Sequence, residues 1–166
     1  MDEARIGLQP ILRRVWARRG QRPQAVVEPK YEWLWLYAAV HPRSGTVFWL
    51  ILPRLDRRCV EIFLREFAVA HSGPDKQIVL VWDGAPGHRA AEVELPAGIS
   101  VARLPPYTPE LNPAERLWSK VKEAAVNKKH TTLSELEDKI AERCVKFGAE
   151  KECIRAMTKY YWWSFN

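Results

Sequence analysis

Cysteine is scarce in this sequence, and its spacing argues against two classes of small domain. Only three of the 166 residues are cysteines, Cys59, Cys144 and Cys153, and no two of them form a Cys-x-x-Cys pair. A disulfide framework or a cysteine-rich zinc site needs paired or clustered cysteines. We therefore expect all three to be reduced thiols in the core or at the surface.

The sequence also lacks a long apolar run and an N-terminal leader. Its longest apolar stretch, Trp33–Val40, is far shorter than the roughly 20 residues that a membrane-spanning helix needs. A secretory signal begins with basic residues followed by an apolar segment, whereas this chain begins Met1-Asp2-Glu3. These absences predict a cytoplasmic protein with no membrane partner.

What the sequence does contain is enough apolar surface for one core and an excess of positive charge. Hydrophobic residues make up 47% of the chain, a fraction typical of one globular domain over residues 1–166. The net charge is +6, and residues 1–23 and 113–130 hold most of the excess. Clustered basic charge favours a polyanionic partner such as nucleic acid, and a solvated basic surface is the alternative.

Apolar patterning predicts four strands in a mixed α/β fold. Trp33–Val40 and Thr46–Leu52, separated by a turn, are typical of a hairpin. Gln77–Trp82 is almost wholly apolar, which predicts a central strand buried on both faces, and Ile99–Leu104 is a further strand.

Helical spacing and capping residues predict the helices between and after these strands. Asp56–His71 repeats apolar residues at helical spacing. Asn112-Pro113 and the capping box Thr132–Glu135 each open a further helix, and 151–163 predicts a last short one. We therefore expect a mixed sheet flanked by helices.

Asp83 and Glu115 are the two acids whose positions suggest chemistry. Asp83 follows a predicted buried strand directly, at the strand end where α/β proteins bind ligands, although a turn aspartate is the alternative. Glu115 stands at the third helical position if Asn112 is the N-cap, so it is either a capping-box residue or an acid kept ionised by the helix dipole. Asp2, beside Glu3, is a third candidate that is otherwise typical of an exposed terminus.

Three motifs give the chain a resemblance to a known family. They are Asp2-Glu3 with Trp16-Ala17 and Gly20-Gln21-Arg22-Pro23, then Val81-Trp82-Asp83 with Ala85-Pro86 and His88, and last Leu104 to Trp118 with Tyr107, Leu111, Asn112 and Glu115. The sequence is similar to DDE transposases of the Tc/mariner superfamily, in its bacterial insertion-sequence branch. Gly84 departs from the pattern, since many members have asparagine there.

The resemblance implies a fold and a metal site. The implied fold is an RNase H-like, five-stranded mixed sheet flanked by helices, with the first strand shortened at its N-terminus and no upstream DNA-binding region. It implies that Asp2, Asp83 and Glu115 are the catalytic, metal-binding residues and that two Mg²⁺ or Mn²⁺ ions are the cofactors. Two interpretations of His88 remain open: contact with the scissile phosphate or Asp83, and a loop histidine without a catalytic role.

The expected activity is metal-dependent DNA strand cleavage and strand transfer during transposition of an insertion sequence. The partners implied are double-stranded DNA (transposon ends and a TA-containing target) and further copies of the chain on that DNA, in the bacterial nucleoid. The candidate DNA-binding residues are Arg13, Arg14, Arg18, Arg19, Arg116, Lys120 and Lys122. The alternatives are an inactive remnant that binds DNA or a partner without cutting, and an RNase H-like nuclease or resolvase, against which the Leu104–Trp118 motif argues.

Overall fold

The computed structural model describes residues 1–24, 30–83 and 93–160 and contains two small sheets with helices packed on them. The strands are β1 (Asp2–Gly7), β2 (Trp33–His41), β3 (Thr46–Leu52), β4 (Ile78–Trp82) and β5 (Ile99–Arg103). The α-helices are α1 (Arg57–His71), α2 (Trp118–Val121), α3 (Leu133–Ala149) and α4 (Lys151–Thr158). Short 3₁₀ segments cover Pro109–Leu111, Pro113–Leu117 and Lys122–Ala124.

The five strands form two sheets, so the prediction of one five-stranded sheet is wrong. β1, β2 and β3 form an antiparallel sheet in that order, and β4 and β5 form a parallel pair. The Met1 backbone nitrogen donates to Val81 O of β4 at 2.6 Å, but β1 begins at Asp2 and pairs with β2 from there. One hydrogen bond does not make a ladder. A cavity of about 470 Å³ is lined by residues of β2, β3, α1 and β4.

β4 is buried on one face only, which corrects the expectation of a strand buried on both. Leu80 and Trp82 are in the core, whereas Val79, which precedes Leu80, is 61% exposed. An apolar run alone does not distinguish a central strand from one whose sheet is covered on a single face. Within the described residues this sheet has two strands, and the alternation of buried and exposed side chains is that of a sheet covered on one face.

The three-stranded sheet separates two hydrophobic cores, and β2 serves both because its side chains alternate. Leu34, Leu36 and Ala38 pack with α3, α4 and the segment 113–121. Tyr37 and Ala39 pack on the other side with α1, β4 and β5. The first core also takes the β1 row of Ala4, Ile6 and Leu8, and Asp2 begins this row.

The elements that depend on contacts between nearby residues form as the sequence predicts. The predicted hairpin is present, with Gly45 in its turn at φ +70°, a conformation that favours glycine. Asp56 caps α1 by accepting from Cys59 N at 2.9 Å, and Thr132 caps α3 by accepting from Glu135 N at 3.2 Å. The three cysteines are free thiols, as predicted.

The C-terminal helix is shorter than predicted. α4 ends at Thr158, and the remainder of the predicted tail, from residue 161 onward, lies outside the described residues. Within the described ranges, no helix combines the length and apolarity that a membrane crossing requires.

Candidate active site

Asp2 is a buried carboxylate held by a tryptophan. Its side chain is on the face of β1 that packs under the segment 113–121, and the residue is only 4% exposed. The Trp118 indole Nε1 donates to Asp2 Oδ2 at 2.6 Å. Burial raises the pKa of Asp2 to about 7, the Trp118 hydrogen bond opposes this rise, and Glu115 adds to it.

Glu115 lies in a 3₁₀ segment and not in the first turn of an α-helix. Asn112 is the N-cap, as predicted, but its side chain accepts from Ala114 N at 3.2 Å and its own backbone nitrogen donates to Pro109 O. The predicted capping box with Glu115 is therefore not formed. Within the described part of the chain the Glu115 carboxylate has no hydrogen bond, so its position is not explained by a cap.

The pKa of Glu115 is shifted both by burial and by nearby charges. Desolvation raises the pKa of Glu115, Asp83 raises it further, and Lys122 lowers it. The Asp83 contribution means that a second carboxylate is close enough to repel the charged form. Lys122 follows on the next turns of the same helical segment and supplies a nearby positive charge.

Asp83 directly follows β4, as the sequence predicts, and is half-buried. The Met1 nitrogen donates to Val81 O, two residues before Asp83, and so connects this end of β4 with the residue that precedes β1. Burial lowers the pKa of the Met1 amine, and Asp2, Glu3 and Asp83 act in the opposite direction. Residues 84–92, among them His88, lie outside the described residues.

The pKa shifts connect the three carboxylates in two pairs, Asp2 with Glu115 and Glu115 with Asp83. Glu115 raises the pKa of Asp2, and Asp83 raises the pKa of Glu115. The three carboxylates come from three separate elements: β1, the 3₁₀ segment 113–117 and the end of β4. Among residues 1–24, 30–83 and 93–160, no three His, Cys, Asp or Glu side chains are already close enough to enclose a metal ion.

The candidate DNA-binding residues divide into two groups. Arg14, Arg18 and Arg19 are exposed on the segment between β1 and β2. The backbone nitrogen of Arg13 donates to Asn127 Oδ1, and its backbone oxygen accepts from Asn127 Nδ2. The segment between them also carries Trp16, which is fully exposed.

Two members of the second group of candidate DNA-binding residues, Arg116 and Lys120, already have protein partners. The Arg116 guanidinium donates to Met157 O at 2.8 Å and lies 4.2 Å from the Tyr160 ring centroid. Lys120 forms an ion pair with Glu123 at 3.3 Å. Arg116 thus contributes to packing of the chain's C-terminal part, a role that the charge pattern did not indicate.

The sequence predicts Asn112 as an N-cap and motif position and Trp118 as a motif position, but it does not predict their contacts with Met1 and Asp2. Asn112 Nδ2 donates to Met1 O at 3.0 Å, and Trp118 donates to Asp2. Both residues flank the 3₁₀ segment that carries Glu115. Their partners are 111 and 116 positions away in the chain, so no local pattern indicates these contacts.

Residues 1–137 match the family described as DDE superfamily endonuclease. The protein y4pE/y4sA of Sinorhizobium fredii is 36% identical over 87 residues, which is 52% of this chain and 63% of that protein. The chain thus spans less than two thirds of this relative.

Among solved structures the chain resembles Mos1 transposase. A paired-end complex with the left transposon end has a TM-score of 0.56 at 15% identity, and covers 96% of this chain and 55% of its own. The Mos1 strand transfer complex gives a TM-score of 0.57 at 15% identity, with 96% and 54% covered. At this identity the likeness concerns the fold. Because the family match covers most of the sequence, the chain belongs to the DDE superfamily endonucleases.

Proposed function

We propose that this chain is the catalytic domain of a DNA transposase of the insertion-sequence type, which cleaves and joins DNA strands. The observation that carries the proposal is the mutual effect of its carboxylates. Glu115 raises the pKa of Asp2 while Asp83 raises that of Glu115, although the three residues belong to separate elements. Carboxylates that raise one another's pKa in this way are typical of functional sites.

The donor set fits divalent metal ions. Asp2, Asp83 and Glu115 offer only carboxylate oxygens, the ligands that Mg²⁺ and Mn²⁺ prefer. The repulsion between these carboxylates is what bound cations would relieve, and the three acids would hold Mg²⁺ or Mn²⁺. When bound, two such ions stabilise the attacking and the leaving oxygen of an in-line phosphoryl transfer.

The proposed substrate is double-stranded DNA. The Mos1 complexes named above are with a transposon end and in strand transfer, and further ones contain Mg and Mn. The exposed Arg14, Arg18 and Arg19 would contact phosphates of transposon ends or of a TA-containing target. Self-association on DNA and a place in the bacterial nucleoid belong to the same proposal.

A second candidate function is DNA or partner binding without cleavage. The observation in its favour is that no three potential ligands within the described residues already enclose a metal site. The two candidates differ in one assay, which is nicking of a supercoiled plasmid. The transposase proposal expects nicking with Mn²⁺ or Mg²⁺ and none with EDTA. Intact plasmid under all conditions, together with retained DNA binding, would favour the second candidate.

Affinity for DNA should depend steeply on salt, because basic residues that bind phosphates release counterions. The double variant Arg18→Gln and Arg19→Gln is expected to reduce the slope of log affinity against log salt by up to about 2, at roughly 0.9 per phosphate contact. The measurement is fluorescence anisotropy with duplex DNA between about 50 and 200 mM salt.

The matched control for this experiment removes the same charge elsewhere. Lys139 and Lys146 lie on the exposed side of α3, where both pair with Glu142. Lys139→Gln with Lys146→Gln should leave the slope unchanged. Equal slopes for both double variants would show that the segment between β1 and β2 does not track phosphates.

A further inference from the structure

The 3₁₀ segment that carries Glu115 also contacts the residue pair at the start of β1. Asn112 and Trp118 flank this segment, Asn112 as its N-cap and Trp118 as the first residue of α2. Asn112 Nδ2 donates to Met1 O at 3.0 Å, and Trp118 Nε1 donates to Asp2 Oδ2 at 2.6 Å. Glu115 stands between them in the chain and is exposed, whereas both flanking residues are buried.

Both hydrogen bonds are shielded from water. Asn112 is 1% exposed, Trp118 6% and Asp2 4%. Hydrogen bonds between buried groups fix geometry strongly because neither partner has water as an alternative. A donor on Oδ2 orients the whole Asp2 carboxylate.

The indole nitrogen of Trp118 has a hydrogen-bond acceptor, whereas that of the neighbouring Trp49 has none among the described residues. Trp49 packs edge to face on Trp118 with ring centroids 6.3 Å apart, in the same core. The Trp49 Nε1 is buried without a hydrogen-bond partner within the part of the chain that the structure describes. Packing therefore does not require an N–H at these positions, and that of Trp118 has a specific acceptor.

We propose that Trp118 and Asn112 are positioning residues that fix Asp2 relative to Glu115, so that one short segment sets the geometry of two of the three acids. This inference rests on the proposed metal site. The physical reason is that metal-binding carboxylates lose affinity when the groups that orient them are removed, typically by about 10- to 100-fold. Trp118 would orient the Asp2 side chain, and Asn112 would hold the backbone one residue before it.

The hydrogen bond itself is tested without metal, by the indole ¹⁵N–¹H resonances of the full chain. Asp2→Asn replaces a charged acceptor by a neutral one, so the largest indole shift is expected at Trp118. Trp16, which is fully exposed, is the reference and should not move. A Trp118 resonance unchanged by Asp2→Asn would overturn the inference.

The positioning role is tested by Mn²⁺ affinity, measured by calorimetry on the full chain. Trp118→Phe keeps an aromatic ring but removes the donor, and a loss of about tenfold or more is expected. Trp49→Phe makes the same change where the N–H has no acceptor within the described ranges, and should bind Mn²⁺ like the wild type. Asn112→Ser keeps an N-cap but cannot reach Met1 O, and should show a smaller loss in the same direction.

The outcomes separate this inference from the function on which it rests. If Asp2→Asn and Glu115→Gln lose Mn²⁺ binding but Trp118→Phe does not, the positioning role is wrong and the metal site stands. If neither acid variant affects Mn²⁺ binding, the proposed metal site fails and the inference fails with it. Should Trp118→Phe unfold, Asn112→Ser and the indole resonances decide.

Discussion

Glu115→Gln is expected to lower metal-dependent DNA cleavage by at least about a hundredfold while leaving a folded protein. Loss of one group that stabilises transition-state charge typically costs about 10²–10³ in rate. Glutamine keeps the shape of glutamate but not the charge that holds a dication. Because the Glu115 carboxylate has no hydrogen bond within the described residues, the free energy of unfolding should change by less than about 1 kcal/mol.

Two comparisons make this result specific to the site. Asp83→Asn should cause a loss of similar size, since it removes another proposed ligand. Glu110→Gln makes the same substitution at an exposed position five residues before Glu115, and should cleave like the wild type. Plasmid nicking with Mn²⁺ and chemical denaturation provide the two measurements. Wild-type cleavage by Glu115→Gln would remove Glu115 from the catalytic site.

Asp2→Asn is expected to stabilise the fold at alkaline pH relative to the wild type. The pKa of Asp2 in the folded state is about 7, against an ordinary value of 3.8, so the folded protein holds this proton more tightly than the unfolded chain. The associated stability is fully present below about pH 4 and is lost as pH rises through about 7. At about 1.4 kcal/mol per pKa unit, the loss amounts to roughly 4 kcal/mol.

The measurement is the difference in unfolding free energy between Asp2→Asn and the wild type at pH 4 and pH 8. This difference should increase by roughly 4 kcal/mol in favour of the variant, because asparagine does not ionise. The Met1 amine, whose lowered pKa gives the opposite pH dependence, is present in both proteins and largely cancels. Asp138→Asn, on the exposed side of α3, should show no such increase.

A flat difference between pH 4 and pH 8 would mean that Asp2 ionises as easily in the folded protein as in the unfolded chain. The buried, repelled carboxylate described above would then be incorrect. The expected result, in contrast, means that the proposed ligand reduces stability at the pH where it would bind cations. Such a conflict between stability and function is common at active sites.

The sequence predicts the parts of this fold that depend on neighbouring residues. The hairpin, α1 and α3 follow from alternation, helical spacing and caps at Asp56 and Thr132, all of which act within a few positions. Whether the five strands form one sheet or two could not be derived in this way, because it depends on whether β1 pairs with β4, some 80 positions away in the chain. Among the described residues, the hydrogen bond from Met1 to Val81 is the backbone connection between these two parts of the chain, and the strands stay in separate sheets.

The sequence predicts which residues form the candidate site, but it does not predict the contacts between them. Motif position identified Asp2, Asp83 and Glu115. The capping-box interpretation of Glu115 failed because it assumed an α-helix where the chain adopts a 3₁₀ segment. The bond between Trp118 and Asp2 joins residues 116 positions apart, and local periodicity contains no information about such a pair.

If Asp2, Asp83 and Glu115 together hold two divalent ions, manganese should be visible beside them in a crystal of the chain. Crystals of the chain grown with Mn²⁺ give an anomalous difference map that locates manganese independently of any assumed ligands. The proposed metal site predicts two peaks about 3.5–4 Å apart, each within coordination distance of at least one of the three carboxylates. Well-ordered carboxylates without a peak between them, or with Asp83 and Glu115 directed to opposite faces, would contradict it.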